Sequence, residues 1–199
     1  VFKLLEAVRK SPFEIYAFEV FSKGCFDRTT SLHHIRSPFA ASHEQYVLVE
    51  AKGQDFDPWL EEIFTNELVE EGVQAKSQEE VRSFWKSRET ISEALRTGGQ
   101  IHTSDISVPI SSLKKFIEEW ESIFYKKYAD WELFIFGHFG DGNLHIHAAK
   151  PAAMSTEEFL KQNLLVNYAI LSGDAFLVLR ISQSVTFFLL GEHWYKVPA

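Results

Sequence analysis

Hydrophobic segments of strand period and helix period interleave along the 199 residues, and their order predicts an α+β fold. The expected architecture is a mainly antiparallel sheet of ferredoxin-like type, in one copy or duplicated, with helices packed on one face. Three observations carry it. Runs rich in aromatic and β-branched residues stand at 14–21, 45–52, 101–108, 131–136 and 143–148. Amphipathic helical segments separate most of them. A Gly-rich turn around Asp141 joins the last two runs directly, which is a β-hairpin signal.

Each element has its own local reason. Residues 14–21 (EIYAFEVF) end at Ser22, Lys23 and Gly24 and read as a strand, followed by a short helix over 26–34. The strand 45–52 (QYVLVEAK) stops at Gly53, and Pro58, at a helix-opening position, starts a helix over 58–71. Ser77 with Glu80 forms a capping box for a helix over 78–95, which Gly98 and Gly99 terminate. After the strand at 101–108, Leu113, Phe116, Ile117, Trp120, Ile123 and Phe124 recur at helical spacing and form one apolar stripe. Ser155 with Glu158 is a second capping box, opening a helix after Pro151.

Composition narrows the function classes. With 45% hydrophobic and 24% charged residues, the chain reads as one soluble globular domain with a substantial core. A formal net charge of −8 argues against nucleic-acid binding, which needs clustered Lys and Arg. Cys25 stands alone, so neither a disulfide framework nor a Cys-based zinc cage is expected, and a reducing compartment follows: cytoplasm, or mitochondrial matrix in a eukaryote. No membrane span is expected, because Asp174 and Arg180 interrupt the apolar stretch at 164–190.

Residues 137–147 (GHFGDGNLHIH) carry the most chemistry. Side chains alternate along a strand, so Asn143, His145 and His147 share one face while Leu144 and Ile146 face the core. The turn folds the chain back so that His138 and His145 meet across the hairpin. Two converging imidazoles are half of a divalent metal site, and a third ligand would leave a position open for water or substrate.

This segment resembles the signature of the C-terminal domain of FAD-linked 2-hydroxyacid oxidases and dehydrogenases, the type 4 FAD-binding group that includes glycolate oxidase, D-lactate dehydrogenase and D-2-hydroxyglutarate dehydrogenase. Residues 84–95 (FWKSRETISEAL) and 105–113 (DISVPISSL) resemble the family's substrate-arginine helix and the strand-to-helix junction after it. QYVLVEAKG is similar to an earlier family strand, and the resemblance runs over residues 14–160.

The resemblance implies roles. His138, His145 and Glu192 would be ligands of a divalent metal, by type Zn, Mn or Fe. On spacing alone, Arg88 beside Glu89 and Glu93 reads as a solvated ion-pair partner; the resemblance makes it the clamp for a substrate carboxylate. Ser92, one turn later, would add a hydrogen bond to substrate. Asn143 and His147 would touch substrate, Asn143 also the flavin, and His193 would be the general base. Where the family often carries Lys ahead of DISVP, this chain has His102, Thr103 and Ser104. The expected partners are a 2-hydroxyacid, a preceding FAD-binding domain that this chain does not supply, and an electron acceptor the sequence does not identify.

The tail at 163–199 is atypical. Only Asp174 and Arg180 are charged between residues 163 and 191, neither hydrophobic period persists, and Trp194 follows Glu192 and His193 where the family has Gly. A pair of compensating frame slips in the coding sequence would account for both departures. Two other readings compete on the residues: the HIHAA strand of histidine-triad nucleotide hydrolases, and a non-catalytic metal-binding or interaction domain of ferredoxin-like fold.

Overall fold

The computed structural model describes residues 1–166 and the backbone of two strands at 187–190 and 193–196. In chain order the elements are α1 (Phe2–Lys10), β1 (Glu14–Ser22), α2 (Lys23–His33), β2 (Gln45–Lys52), α3 (Asp57–Thr65), α4 (Gln78–Glu89) and α5 (Ile91–Thr97). Then follow β3 (Ile101–Ser107), α6 (Ile110–Lys127), β4 (Glu132–His138), β5 (Asn143–Ala149), α7 (Thr156–Val166), β6 (Phe187–Leu190) and β7 (His193–Lys196). Helix α1 has no counterpart in the sequence reading: Val1 gives it no side-chain cap, so no start signal precedes its apolar stripe.

Five strands form one antiparallel sheet in the order β2-β1-β4-β5-β3, and β6 pairs with β7 separately. Strand β5 lies between β3 and β4 and is antiparallel to both, so β3-α6-β4 is a split βαβ crossover. With β5 and α7 this makes one ferredoxin-like unit as far as its second helix. Strands β1 and β2 extend its edge and are not a second copy of it. They are direct antiparallel neighbours joined by α2, so α2 makes no crossover.

The two faces of the sheet are both covered, where the sequence led us to expect helices on one. On the first face, Leu4, Leu5 and Val8 of α1, Ile63 of α3, Phe159 of α7 and the stripe of α6 enclose Phe18, Val20, Ile135, Leu144 and Ile146. Within that stripe Leu113 and Phe116 are fully buried and Ile117, Trp120 and Phe124 nearly so, while Ile123 at its margin is 43% exposed. Each such burial contributes about 1.5–3 kcal/mol. On the second face, Cys25 and Phe26 of α2 and Ile91 and Leu95 of α5 cover Phe21, Tyr46, Phe134 and Phe136. The run LFIF in β4 is apolar on both sides, which demands this second layer.

Two helices are shorter than their patterns suggest. Helix α3 stops at Thr65, with Asn66 at its C-cap and Glu67 at a φ of +53°, rather than at residue 71. The helix expected over 78–95 breaks at Thr90, whose hydroxyl donates to the Lys86 carbonyl at 2.7 Å while its backbone stands at φ −92° and ψ 6°. Threonine back-bonding of this kind bends helices. Both serine caps form, Ser77 Oγ accepting from the Glu80 amide at 3.2 Å and Ser155 Oγ from the Glu158 amide at 3.2 Å. The reciprocal bond of a capping box closes at Ser155, whose amide donates to Glu158 at 3.1 Å, whereas Glu80 accepts from the Lys76 amide at 2.6 Å. Among the described residues no helix is long and apolar enough to cross a membrane.

Candidate functional site

The second face of the sheet turns polar between α4 and the β4-β5 hairpin. Glu19 of β1, Asp105 of β3, His138 of β4 and Asn143, His145 and His147 of β5 alternate with core residues and so share this face. The turn that brings β4 and β5 together is backbone-specific. Gly142 has φ +81°, and a Cβ there would stand 2.1 Å from the Val108 carbonyl oxygen, so only glycine lets the end of β3 close on the turn. Asp141 Oδ1 accepts from the Asn143 amide at 3.0 Å and sets the first residue of β5.

His138 and His145 lie on the same face, with ring centroids 6.0 Å apart. Each has a carboxylate as its direct cross-strand neighbour: Glu19 opposite His138, and Asp105 opposite His145. His138 Nδ1 meets Glu19 Oε1 at 2.5 Å, and His145 Nδ1 meets Asp105 Oδ1 at 2.5 Å. A carboxylate only accepts, so each ring donates its Nδ1–H, and in the neutral imidazole this places the lone pair on Nε2. This carboxylate-histidine arrangement is the one that orients metal-ligating imidazoles. The hydrogen bond from His145 holds the Asp105 carboxyl below its usual range.

Glu19 also accepts from Arg88 Nε at 2.7 Å, and both side chains are almost fully buried. The Arg88 guanidinium lies over the Phe136 ring at 5.3 Å, and its Nη2 is buried with no hydrogen-bond partner among the described residues. An orphaned guanidinium nitrogen suits an incoming anion. His147 is only 3% exposed, packs edge-on to Phe136 at 5.0 Å, and has its Nδ1 unpartnered among the described residues. Burial pushes its pKa down to about 4, so the ring is neutral near pH 7. A cavity of about 300 Å³ borders Glu19 and His138, walled by Leu5, Val8 and Arg9 of α1 and by Gly140 and Asp141.

The remaining expected residues divide. Asn143 begins β5 opposite His138 and is half-buried. Ser92 falls on α5, beyond the break at Thr90, so it does not share a continuous helix face with Arg88. Glu192 lies outside the described residues, and His193 is described only as the backbone that opens β7. The frame-slip reading of the tail also falls there. Among the described residues no three His, Cys, Asp or Glu side chains cluster as a metal cage, so the metal set expected here is represented by its two histidines.

Glu19 and Asp105 had no place in the sequence reading. Their partners are 119 and 40 residues away, beyond the reach of local periodicity. One signal was present: Glu19 is a lone charge inside the apolar run AFEVF, and a strand tolerates that only where the charge has a partner.

Fold and site together define an α+β domain with a polar, histidine- and arginine-bearing patch on one side of its sheet. The family model for FAD linked oxidases, C-terminal domain, matches residues 1–163, and the chain belongs to that family. It is 31% identical over 160 residues to a D-2-hydroxyglutarate dehydrogenase of Stutzerimonas stutzeri, covering 77% of this chain and 34% of that protein. A D-2-hydroxyglutarate dehydrogenase of Xanthomonas citri is also 31% identical, over 164 residues with the same coverage. The mitochondrial D-2-hydroxyglutarate dehydrogenase of Arabidopsis thaliana is 29% identical over 153 residues, covering 72% of this chain and 27% of that protein. The chain thus spans about a third of the length of the curated relatives it matches.

Proposed function

We propose that this domain is the substrate-binding half of a flavin-dependent dehydrogenase that oxidises a 2-hydroxyacid to a 2-oxoacid, with FAD held mainly by a separate domain. The observation that carries the reading is the pair of imidazoles anchored through Nδ1, beside a buried guanidinium whose Nη2 has no hydrogen-bond partner among the described residues. Family membership and relatives named D-2-hydroxyglutarate dehydrogenase support the substrate class.

Arg88 would take the substrate carboxylate on the guanidinium nitrogens that Glu19 leaves unused. His138 and His145, with Glu192 as third ligand, would hold a divalent cation of Zn, Mn or Fe type beside the 2-hydroxyl. When bound, such a cation would supply polarisation of the hydroxyl and FAD would supply the hydride acceptor. His193 would remove the hydroxyl proton. His147, neutral at pH 7, would offer a hydrogen bond without adding charge, with Asn143 and Ser92 as further polar contacts to substrate and Asn143 also to flavin.

The test is anaerobic mixing of the full-length flavoprotein with a panel of D-2-hydroxyacids, followed by flavin bleaching. Bleaching by at least one of them is expected, and Arg88→Lys should lower kcat/KM about 100-fold, since Lys cannot reproduce a two-point contact. Absence of bleaching across the panel, or an unchanged kcat/KM in the variant, overturns the proposal.

A further inference from the structure

Glu19 is 2% exposed, yet it is a charged residue in the centre of a strand that is otherwise committed to the core. Both of its oxygens are occupied by groups of the polar face. Oε2 accepts from Arg88 Nε at 2.7 Å, and Oε1 accepts from His138 Nδ1 at 2.5 Å. A stabilising Arg-carboxylate pair would normally be bidentate, with both oxygens on the guanidinium fork. Here the carboxylate spends one oxygen on each partner and grips each by the nitrogen nearest its own stem. The terminal nitrogens of Arg88 and the Nε2 of His138 are the parts left over.

We propose that Glu19 is a positioning residue that sets the distance and orientation between the substrate-carboxylate clamp and the first metal-ligating imidazole. The inference rests on the function proposed above and adds a residue to it. A 2-hydroxyacid carries its carboxylate and its hydroxyl on adjacent carbons, so the donor for one and the cation ligand for the other must be held at a set spacing. One rigid, buried carboxylate bonded to both does this directly. It also fixes the His138 tautomer, because an acceptor at Nδ1 keeps the proton there and the lone pair on Nε2. Strand register contributes: Glu19 is the direct cross-strand partner of His138, so the backbone ladder places the two side chains together before any ligand arrives.

The chemistry of an amide separates this role from simple packing. Glu19→Gln keeps the shape of the side chain but leaves one acceptor oxygen where two are needed. If that oxygen serves Arg88, the amide NH₂ faces His138 Nδ1 and forces the proton onto Nε2. If it serves His138, the NH₂ opposes Arg88 Nε–H. Either way one half of the site is turned out of position.

The experiment measures Zn²⁺ affinity by chelator competition and steady-state kinetics with a 2-hydroxyacid, both on the full-length flavoprotein. Glu19→Gln is expected to weaken Zn²⁺ binding 10- to 100-fold and to raise KM. Glu19→Asp, which keeps the charge but is one methylene too short to span both partners, should fail to restore either value. Wild-type affinity and KM in Glu19→Asp would show that charge alone suffices and would overturn the proposal. A third readout needs no variant: ¹⁵N shifts of the His138 ring in the metal-free wild-type protein should report the Nδ1–H tautomer, and an Nε2–H ring overturns the inference even if both variants fail to fold. Should the wild-type protein neither bind Zn²⁺ nor oxidise any 2-hydroxyacid, the functional reading itself fails, which is a different outcome from a wild-type protein that does both and is indifferent to Glu19.

Discussion

The two faces of the five-stranded sheet are built from the same strands in alternation, yet they are opposite in character. Beneath α1, α3 and α6 the face is mostly apolar, with Leu113, Phe116 and Leu144 at full burial, and the buried polar side chains His102 and Ser104 of β3 bond each other at 3.1 Å. On the other face Phe134 and Phe136 form an apolar floor, and beside it stand Glu19, His138, His145, His147 and Asp105. One residue of offset along β5 separates Leu144 from His145. The side chains of the proposed site are therefore confined to one side of each strand, while both sides carry core residues.

That contrast can be broken or sharpened by substitution. The largest effect belongs to the apolar face: Phe116→Ala should cost about 3–5 kcal/mol of unfolding free energy, read from denaturant midpoints. A loss under about 1 kcal/mol would show that Phe116 does not carry the packing of the first face. Next comes His147, the buried titratable group of the polar face. Its folded pKa, about 4, lies below the 6.5 of an unperturbed histidine, so the unfolded chain binds the proton more readily in acid. Stability from this group is present above pH 6.5 and is lost as pH falls toward 4, by about 3 kcal/mol in total. His147→Asn should flatten that part of the stability-pH curve, and equal slopes in variant and wild type would contradict the assignment. The smallest effect on folding belongs to His145. Its partner Asp105 is half exposed, so His145→Ala should move stability by less than about 1 kcal/mol while abolishing metal uptake by the full-length protein, measured by elemental analysis.

Most of the apolar face was legible in the sequence, α1 with its Leu4, Leu5 and Val8 excepted, and the polar face only by halves. Period-two and period-3.6 patterns report which residues are buried together, so the stripe of α6 and the limits of β2 agree with the structure. The hairpin was legible from its turn residues, and with it the shared face of His138 and His145. What escaped were features set by distant parts of the chain or by a single hydrogen bond. The break at Thr90 is accompanied by a bond from its hydroxyl to the Lys86 carbonyl, a contact no spacing pattern announces. The pairing of Glu19 with Arg88 depends on α4 settling over β1, which nothing local in either segment announces. The resemblance to a family supplied Arg88 as a site residue, but only the structure shows which carboxylate holds it.

The ladders of the sheet are unequal. Strand β1 pairs with β2 over eight positions, β4 with β5 over seven, and β1 with β4 over three, from Glu19–His138 to Phe21–Phe136. The sheet is thus two well-zipped panels joined by a short seam, and the last stitch of that seam is the Glu19–His138 rung. Whatever grips His138 and Arg88 from outside pulls on both panels at once. A ligand bound by His138 and Arg88, as proposed above, would act as a clasp, fastening the domain across its shortest ladder.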